Sequence, residues 1–212
     1  MSQKLEIACI HVGAIDTNCY VLHDRGEGAA AVIVDPGGSA PRIISYLKKE
    51  GLRPLAILLT HAHDDHTMGA GELCREYPEV RVYLAEAERR MAEDRSLNCG
   101  FFDFDETLSP DVWVREGDVL ELIGHRFRVL VTPGHTEGSC CYYLEEEGIL
   151  IAGDTLFHGG CGRTDFPTGS EKEMYKSLER LLTELPEDTE VLPGHGGKTT
   201  IGFEKIIEGF GD

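Results

Sequence analysis

A chain of 212 residues, 41% of them hydrophobic, can bury a sizeable core and is close to the size expected of one domain spanning 1–212. Acidic residues outnumber basic ones, 38 to 20, and the formal charge of -18 disfavours nucleic acid and anionic membrane surfaces as partners. No apolar run approaches the ~20 residues of a membrane span, the N-terminus lacks a secretory leader, and seven cysteines without a CxxC pair fit reduced thiols in a cytoplasm better than a disulfide framework.

The predicted strands are short apolar segments that stop abruptly in polar or glycine-rich turns. In chain order they are AAAVIVDPGG (29–38), PLAILLTHAHDDH (54–66), FRVLVTPGH (127–135), GILIAGD (148–154) and TEVLPGH (189–195). Helices are predicted over Ala40–Gly51, with a glycine stop, and Ser170–Leu185, which opens on a capping-box pattern of Ser170 and Glu173. The N-terminal third and residues 112–131 read as strand-rich meanders, so the alternation argues for a layered α/β architecture. Residues 86–110 carry Phe101, Phe102 and Phe104, and fit either a lid over a pocket or a helix-plus-loop excursion that packs its rings into the core. No long repeat or Pro/Ser-rich linker marks a second domain.

The chemistry is concentrated in THAHDDH, residues 60–66, where three imidazoles and two carboxylates follow a buried strand. Nitrogen and oxygen ligands without a cysteine suit a catalytic metal site, with zinc expected and iron or manganese as alternatives. His135, Asp154 and His195 each stand just past another apolar strand, and Pro-Gly-His occurs at both 133–135 and 193–195. The ligand set is then His61, His63, Asp65, His66, His135, Asp154 and His195, too many for one tetrahedral ion. It suits two divalent ions about 3.5–4 Å apart, with one carboxylate shared and a hydroxide bridging the pair. Asp154 also fits a turn or helix cap, although the other residues favour a ligand. Asp35 reads either as the orienting partner of a ligating histidine or as an Asp-Pro-Gly turn residue. His11, His23, His125 and His158 receive no role.

HxHxDH, the glycine-flanked histidine, the apolar-Gly-Asp element and the late Gly-His together resemble the metallo-β-lactamase superfamily, over Asn18 to Phe210. The resemblance implies a four-layer αββα sandwich with the metals at one sheet edge. His61, His63 and His135 would hold one ion, Asp65, His66 and His195 the other, and Asp154 would bridge them. TNCYVL, VDPGG (34–38) and GDTLFHGGCGRTDFP (153–167) are similar to glyoxalase II and its short bacterial relatives. That likeness implies hydrolysis of a small-molecule thioester such as S-D-lactoylglutathione. Asp65 would both ligate and orient the nucleophile, and Arg163 would meet an anionic group of the substrate. Arg163 equally suits a surface salt bridge with Asp165. The chain ends soon after GHGGKTTIGFEKIIEGF, without the C-terminal helical domain that supplies much of the glutathione site in full-length glyoxalase II. GGCGRTDF is also similar to persulfide dioxygenases, which implies the alternative of one iron on His61, His135 and Asp154 oxidising glutathione persulfide. A β-lactamase is disfavoured by the missing export signal.

Overall fold

The computed structural model describes residues 5–24, 26, 28–98 and 109–207. Two six-stranded mixed sheets lie face to face. The first runs in sequence order through β1 (Glu6–Val12), β2 (Thr17–His23), β3 (Ala30–Val34), β4 (Arg53–Leu58), β5 (Arg81–Ala85) and β6 (Val112–Val114). Its first three strands are antiparallel and β3 to β6 are parallel. The second contains β7 (Val119–Leu122), β8 (His125–Val131), β9 (Cys140–Leu144), β10 (Ile149–Gly153), β11 (Glu190–Pro193) and β12 (Thr199–Thr200), antiparallel throughout except for the β10–β11 pair. The 112–131 region is thus not one meander. Its first strand closes the edge of one sheet in parallel with β5, and the chain then crosses to open the other.

Three apolar layers account for the stacking. Between the sheets, Leu22, Val32, Val34 and Leu58 meet Phe127, Val129, Tyr142 and Ile151. Each of these strands contributes alternate residues to that layer and sends the others outward. Outside the first sheet, Ile33, Ile57 and Leu59 pack on α1 (Ala40–Glu50), α3 (Ala70–Glu76) and α4 (Arg89–Glu93) through Ile43, Leu47, Leu73 and Met91. Outside the second, Leu130, Tyr143 and Leu150 pack on α5 (Glu171–Glu184) and α6 (Ile201–Ile207) through Met174, Leu178, Leu181 and Ile201. Full burial of each such aliphatic side chain contributes about 1.5–3 kcal/mol. The result is an αββα sandwich. The short helix α2 (Asp64–Thr67) belongs to the ligand turn after β4.

The helix starts and stops follow local chemistry. α1 opens with Pro41 in its first turn and ends at Gly51. α5 opens at Ser170, whose hydroxyl accepts from the Glu173 amide at 3.3 Å. Only half of the capping box forms, because the Glu173 carboxylate pairs with Lys176 and the Ser170 amide donates to Gly134 O. In the 86–110 stretch, residues 86–98 are a helix-plus-loop that buries Met91 and Ala92. Phe101, Phe102 and Phe104 lie outside the described residues.

Candidate metal centre

Topology brings the predicted residues to one edge. Strands β3 and β4 are parallel, so both point their C-terminal ends the same way, delivering Asp35 and the 60–66 turn. In the second sheet β8 and β10 share a direction through the intervening antiparallel β9, and β11 is parallel to β10. They deliver His135, Asp154 and His195. Cross-sheet bonds close this edge: the Cys140 amide donates to Thr60 O, the Tyr142 hydroxyl to Leu59 O, and the Asn18 amide to Gly194 O.

All seven predicted ligand residues converge there. Ligand atoms of His61, His63 and His135 lie within 4.8 Å of one another, as do those of His61, His66 and Asp154, and those of Asp65, His66 and His195. His63 Nδ1 is 2.9 Å from His135 Nε2. Asp154 stands between the histidine groups, with Oδ1 3.3 Å from His66 Nε2 and Oδ2 3.6 Å from both His135 Nε2 and His195 Nε2. Asp65 Oδ2 is 3.2 Å from His195 Nε2 and 3.3 Å from His66 Nε2.

The surrounding hydrogen bonds decide which nitrogen each ring presents. Asp35, 2% exposed, accepts the Thr60 amide at 2.8 Å, the Thr60 hydroxyl at 2.7 Å and His66 Nδ1 at 2.9 Å. Because the Thr60 hydroxyl donates to Asp35, its oxygen is left to accept from His61 Nδ1 at 3.1 Å. His135 Nδ1 likewise donates to Arg163 O at 2.7 Å. His61 and His135 therefore each turn a bare Nε2 toward Asp154 and its neighbours, and His66, its Nδ1 held by Asp35, points its Nε2 the same way. Of the two roles considered for Asp35, orientation of a histidine is the one its carboxylate performs.

Three buried atoms at the centre lack a hydrogen-bond partner: His61 Nε2, His66 Nε2 and Asp154 Oδ1. The last two lie 3.3 Å apart. Orphaned buried polar atoms cost about 1–3 kcal/mol each, so three in one cluster are hard to explain except as ligands of a cation. The ionisation pattern fits. Burial, with the neighbouring imidazoles, keeps His61 and His63 neutral, His63 being pushed down to about 3. Burial also lowers His135, against the pull of Asp154. Burial works against ionised Asp65 and Asp154, yet the adjacent imidazoles hold both carboxylates below their ordinary range. For His66, burial is outweighed by Asp65, Asp154 and Asp35, which raise it. Three carboxylates facing one buried imidazole create the demand for positive charge that divalent ions satisfy.

Two glycines permit this density. A Cβ on Gly194 would lie 2.2 Å from Asp154 Oδ1 and 2.7 Å from His66 Cε1. One on Gly153, which has φ +49°, would lie 2.3 Å from the Thr60 hydroxyl.

A cleft of about 550 Å³ opens on the cluster, walled by Ile15, Asn98, Phe157, Arg163 and Phe166. Arg163 forks onto Asp165 through two 2.7 Å bonds and lies 4.0 Å over the Phe166 ring. The salt bridge considered for it is therefore present at the mouth of the cleft. Sequence reasoning missed Thr60, Asn98, and Thr17, whose hydroxyl donates to Asp65 Oδ2 at 3.2 Å. Asn98 brackets His63 by donating to Ala62 O and accepting from the Asp64 amide. Only the proximity of Thr60 to His61 was a usable signal.

Residues 12–195 match the profile of the Metallo-beta-lactamase superfamily. The chain belongs to that superfamily. Within it, the chain is 42% identical to a probable metallo-hydrolase, YqgX, of Bacillus subtilis, covering 92% of each protein. It is 36% identical to the hydroxyacylglutathione hydrolase GloC of Haemophilus influenzae, covering 95% of each. Among solved structures, the BLEG-1 B3 metallo-β-lactamase superposes with TM-score 0.88 at 38% identity, covering 95% of this chain and 97% of that one. TTHA1623 in a di-iron-bound form gives 0.81 at 36%, covering 93% and 96%. ETHE1 from Myxococcus xanthus gives 0.77 at 29%, covering 94% and 81%. The coarse class is thus that of the superfamily's metal-dependent hydrolases, with a histidine-rich site for divalent metal. No helix among the described residues is long and apolar enough to cross a membrane.

Proposed function

We propose that this metallo-β-lactamase superfamily member hydrolyses a small-molecule thioester, with S-D-lactoylglutathione the first candidate, using two divalent ions, zinc foremost. One observation carries the reading: seven ligand residues converge at the floor of a cleft whose walls are largely apolar. His61, His63 and His135 would hold one ion, Asp65, His66 and His195 the other, with Asp154 shared. Such ions supply Lewis acidity toward a carbonyl oxygen and acidify water at neutral pH. Asp65, ionised and steadied by Thr17, lines the cleft and would orient the attacking water by accepting its hydrogen. Ile15, Phe157 and Phe166 would hold the acyl group and exclude bulk water. A thiolate leaves without a proton donor, since thiols ionise near pH ~8.5, so the acyl–sulfur bond needs no general acid. Arg163 at the mouth would meet an anionic end of the substrate.

The likeness to ETHE1 favours a second reading, persulfide oxidation at one iron on His61, His135 and Asp154. The two separate in a metal-quantified screen of S-D-lactoylglutathione, other acyl thioesters, glutathione persulfide and a β-lactam, the last included because of the BLEG-1 likeness. Thioester turnover that follows two ions per chain and is lost in His63→Ala and Asp154→Ala is the expected result. Sulfite from the persulfide with one iron per chain, or turnover of the β-lactam alone, overturns it.

A further inference from the structure

The ligand turn after β4 and the loop carrying His135 come from different sheets, and between their main chains the Cys140 amide, at the end of that loop, donates to Thr60 O. A third segment joins them. Glu88 ends the short helical turn Glu86–Glu88, just before α4, and is 0% exposed. Its Oε2 accepts the amide of Ala62, the residue between His61 and His63, at 2.8 Å. Its Oε1 accepts the Thr136 hydroxyl at 2.6 Å and the Gly138 amide at 2.8 Å, both just past His135. Ser139 completes the network, its hydroxyl lying 2.6 Å from that of Thr136 and so free to donate to it. The fit is close as well as polar: a Cβ on Gly138 would lie 2.5 Å from the Glu88 amide nitrogen.

A fully buried carboxylate is costly, and among the described residues no cation pairs with this one; three donors on two loops are what hold it. We propose that Glu88 is a positioning residue that straps the His61–His63 turn to the His135 loop and thereby sets the spacing of the three imidazoles expected to share one metal ion. The inference rests on the two-ion reading above. It gives the 86–98 segment a task other than that of a lid, since the strap reaches the ligands from the core side.

Glu88→Gln keeps volume but removes the acceptor symmetry. A glutamine offers one carbonyl oxygen, so its NH₂ must face either the Ala62 amide or the Thr136 and Gly138 donors, donor against donor. The test loads the full chain with Zn²⁺ and measures stoichiometry and affinity by competition with a chromogenic chelator, alongside the visible spectrum of the Co²⁺-loaded protein. Wild type should take up two ions. Glu88→Gln should bind one of them about 10-fold or more weakly, the other unchanged, with an altered cobalt spectrum. If Glu88→Gln does not fold, Thr136→Val, which removes one of the three donors, decides by the same readouts. Wild-type affinities and an unchanged cobalt spectrum in a folded variant overturn the strap alone. A wild-type chain that takes up no zinc overturns the two-ion reading, and the strap's role with it.

Discussion

Replacing Asp35 with asparagine tests the network that orients the rings. Asparagine tolerates the left-handed backbone this position adopts, with φ +49°, so the change isolates the hydrogen bonds. Three donors converge on the carboxylate: the Thr60 amide on Oδ1, and the Thr60 hydroxyl and His66 Nδ1 on Oδ2. If the new NH₂ replaces Oδ1 it faces the Thr60 amide, donor against donor. If it replaces Oδ2, His66 Nδ1 must accept instead of donate, the ring proton moves to Nε2, and the nitrogen aimed at Asp65 and Asp154 no longer has a lone pair. Either arrangement forfeits at least one hydrogen bond to a buried charge, about 1.5–3 kcal/mol. For a chain of this length that is a fall of roughly 3–12 °C in Tm. Loss of an orienting partner also weakens metal by about 10- to 100-fold. Thermal melts of the chelated protein read the first effect and chelator competition the second. An Asp35→Asn chain with wild-type Tm and wild-type metal affinity would refute the reasoning.

Gly194→Ala should remove roughly 100-fold or more of the hydrolytic activity by forcing Asp154 off its position between the histidines, while chelated protein keeps near-wild-type Tm; full activity would mean the 2.2 Å approach is not required. Asp165→Asn should remove the carboxylate that engages the Arg163 fork and raise kcat/KM for an anionic thioester about two- to five-fold relative to a neutral one of equal size, the modest gain expected of an exposed pair; an unchanged ratio counts against Arg163 as an anion contact. At the opposite end of the sandwich His125 is buried, which lowers its pKa, but its bonds to Glu147 and Asp24 outweigh this and raise it above 6.5. A raised folded-state value contributes stability that is fully present below the unfolded pKa and is lost as pH climbs through the folded one. Urea melts should therefore show His125→Gln less stable than wild type at pH 6, with the gap narrowing by pH 9; an equal gap at both rules out the protonated histidine as its source.

What could be read from the sequence depended on whether a feature was local. THAHDDH declares itself because five potential ligands follow one strand, and the strand-then-turn pattern at His135, Asp154 and His195 says where each chain segment stops. Periodicity does not name a strand's neighbour. VWV at 112–114 could therefore be recognised as extended without its pairing to β5 being visible, and the crossing between sheets was lost. Asp35 stayed ambiguous for a similar reason: an Asp-Pro-Gly turn and a histidine anchor look alike until the parallel pairing of β3 with β4 sets Asp35 beside Thr60 and His66.

Glu88 and Asn98 show the harder limit. Both lie in a stretch without ligand-like patterning, and apart from the Thr136 hydroxyl on Glu88 their partners are backbone groups at Ala62, Asp64 and Gly138, which carry no side-chain signature. The ligands of such a centre are chosen by side-chain chemistry and can be found by it. Their placement is achieved by main-chain amides and by glycines where a Cβ would intrude, so a search for the residues that tune the site should begin from the backbone groups the ligand loops present, and ask which buried side chains answer them.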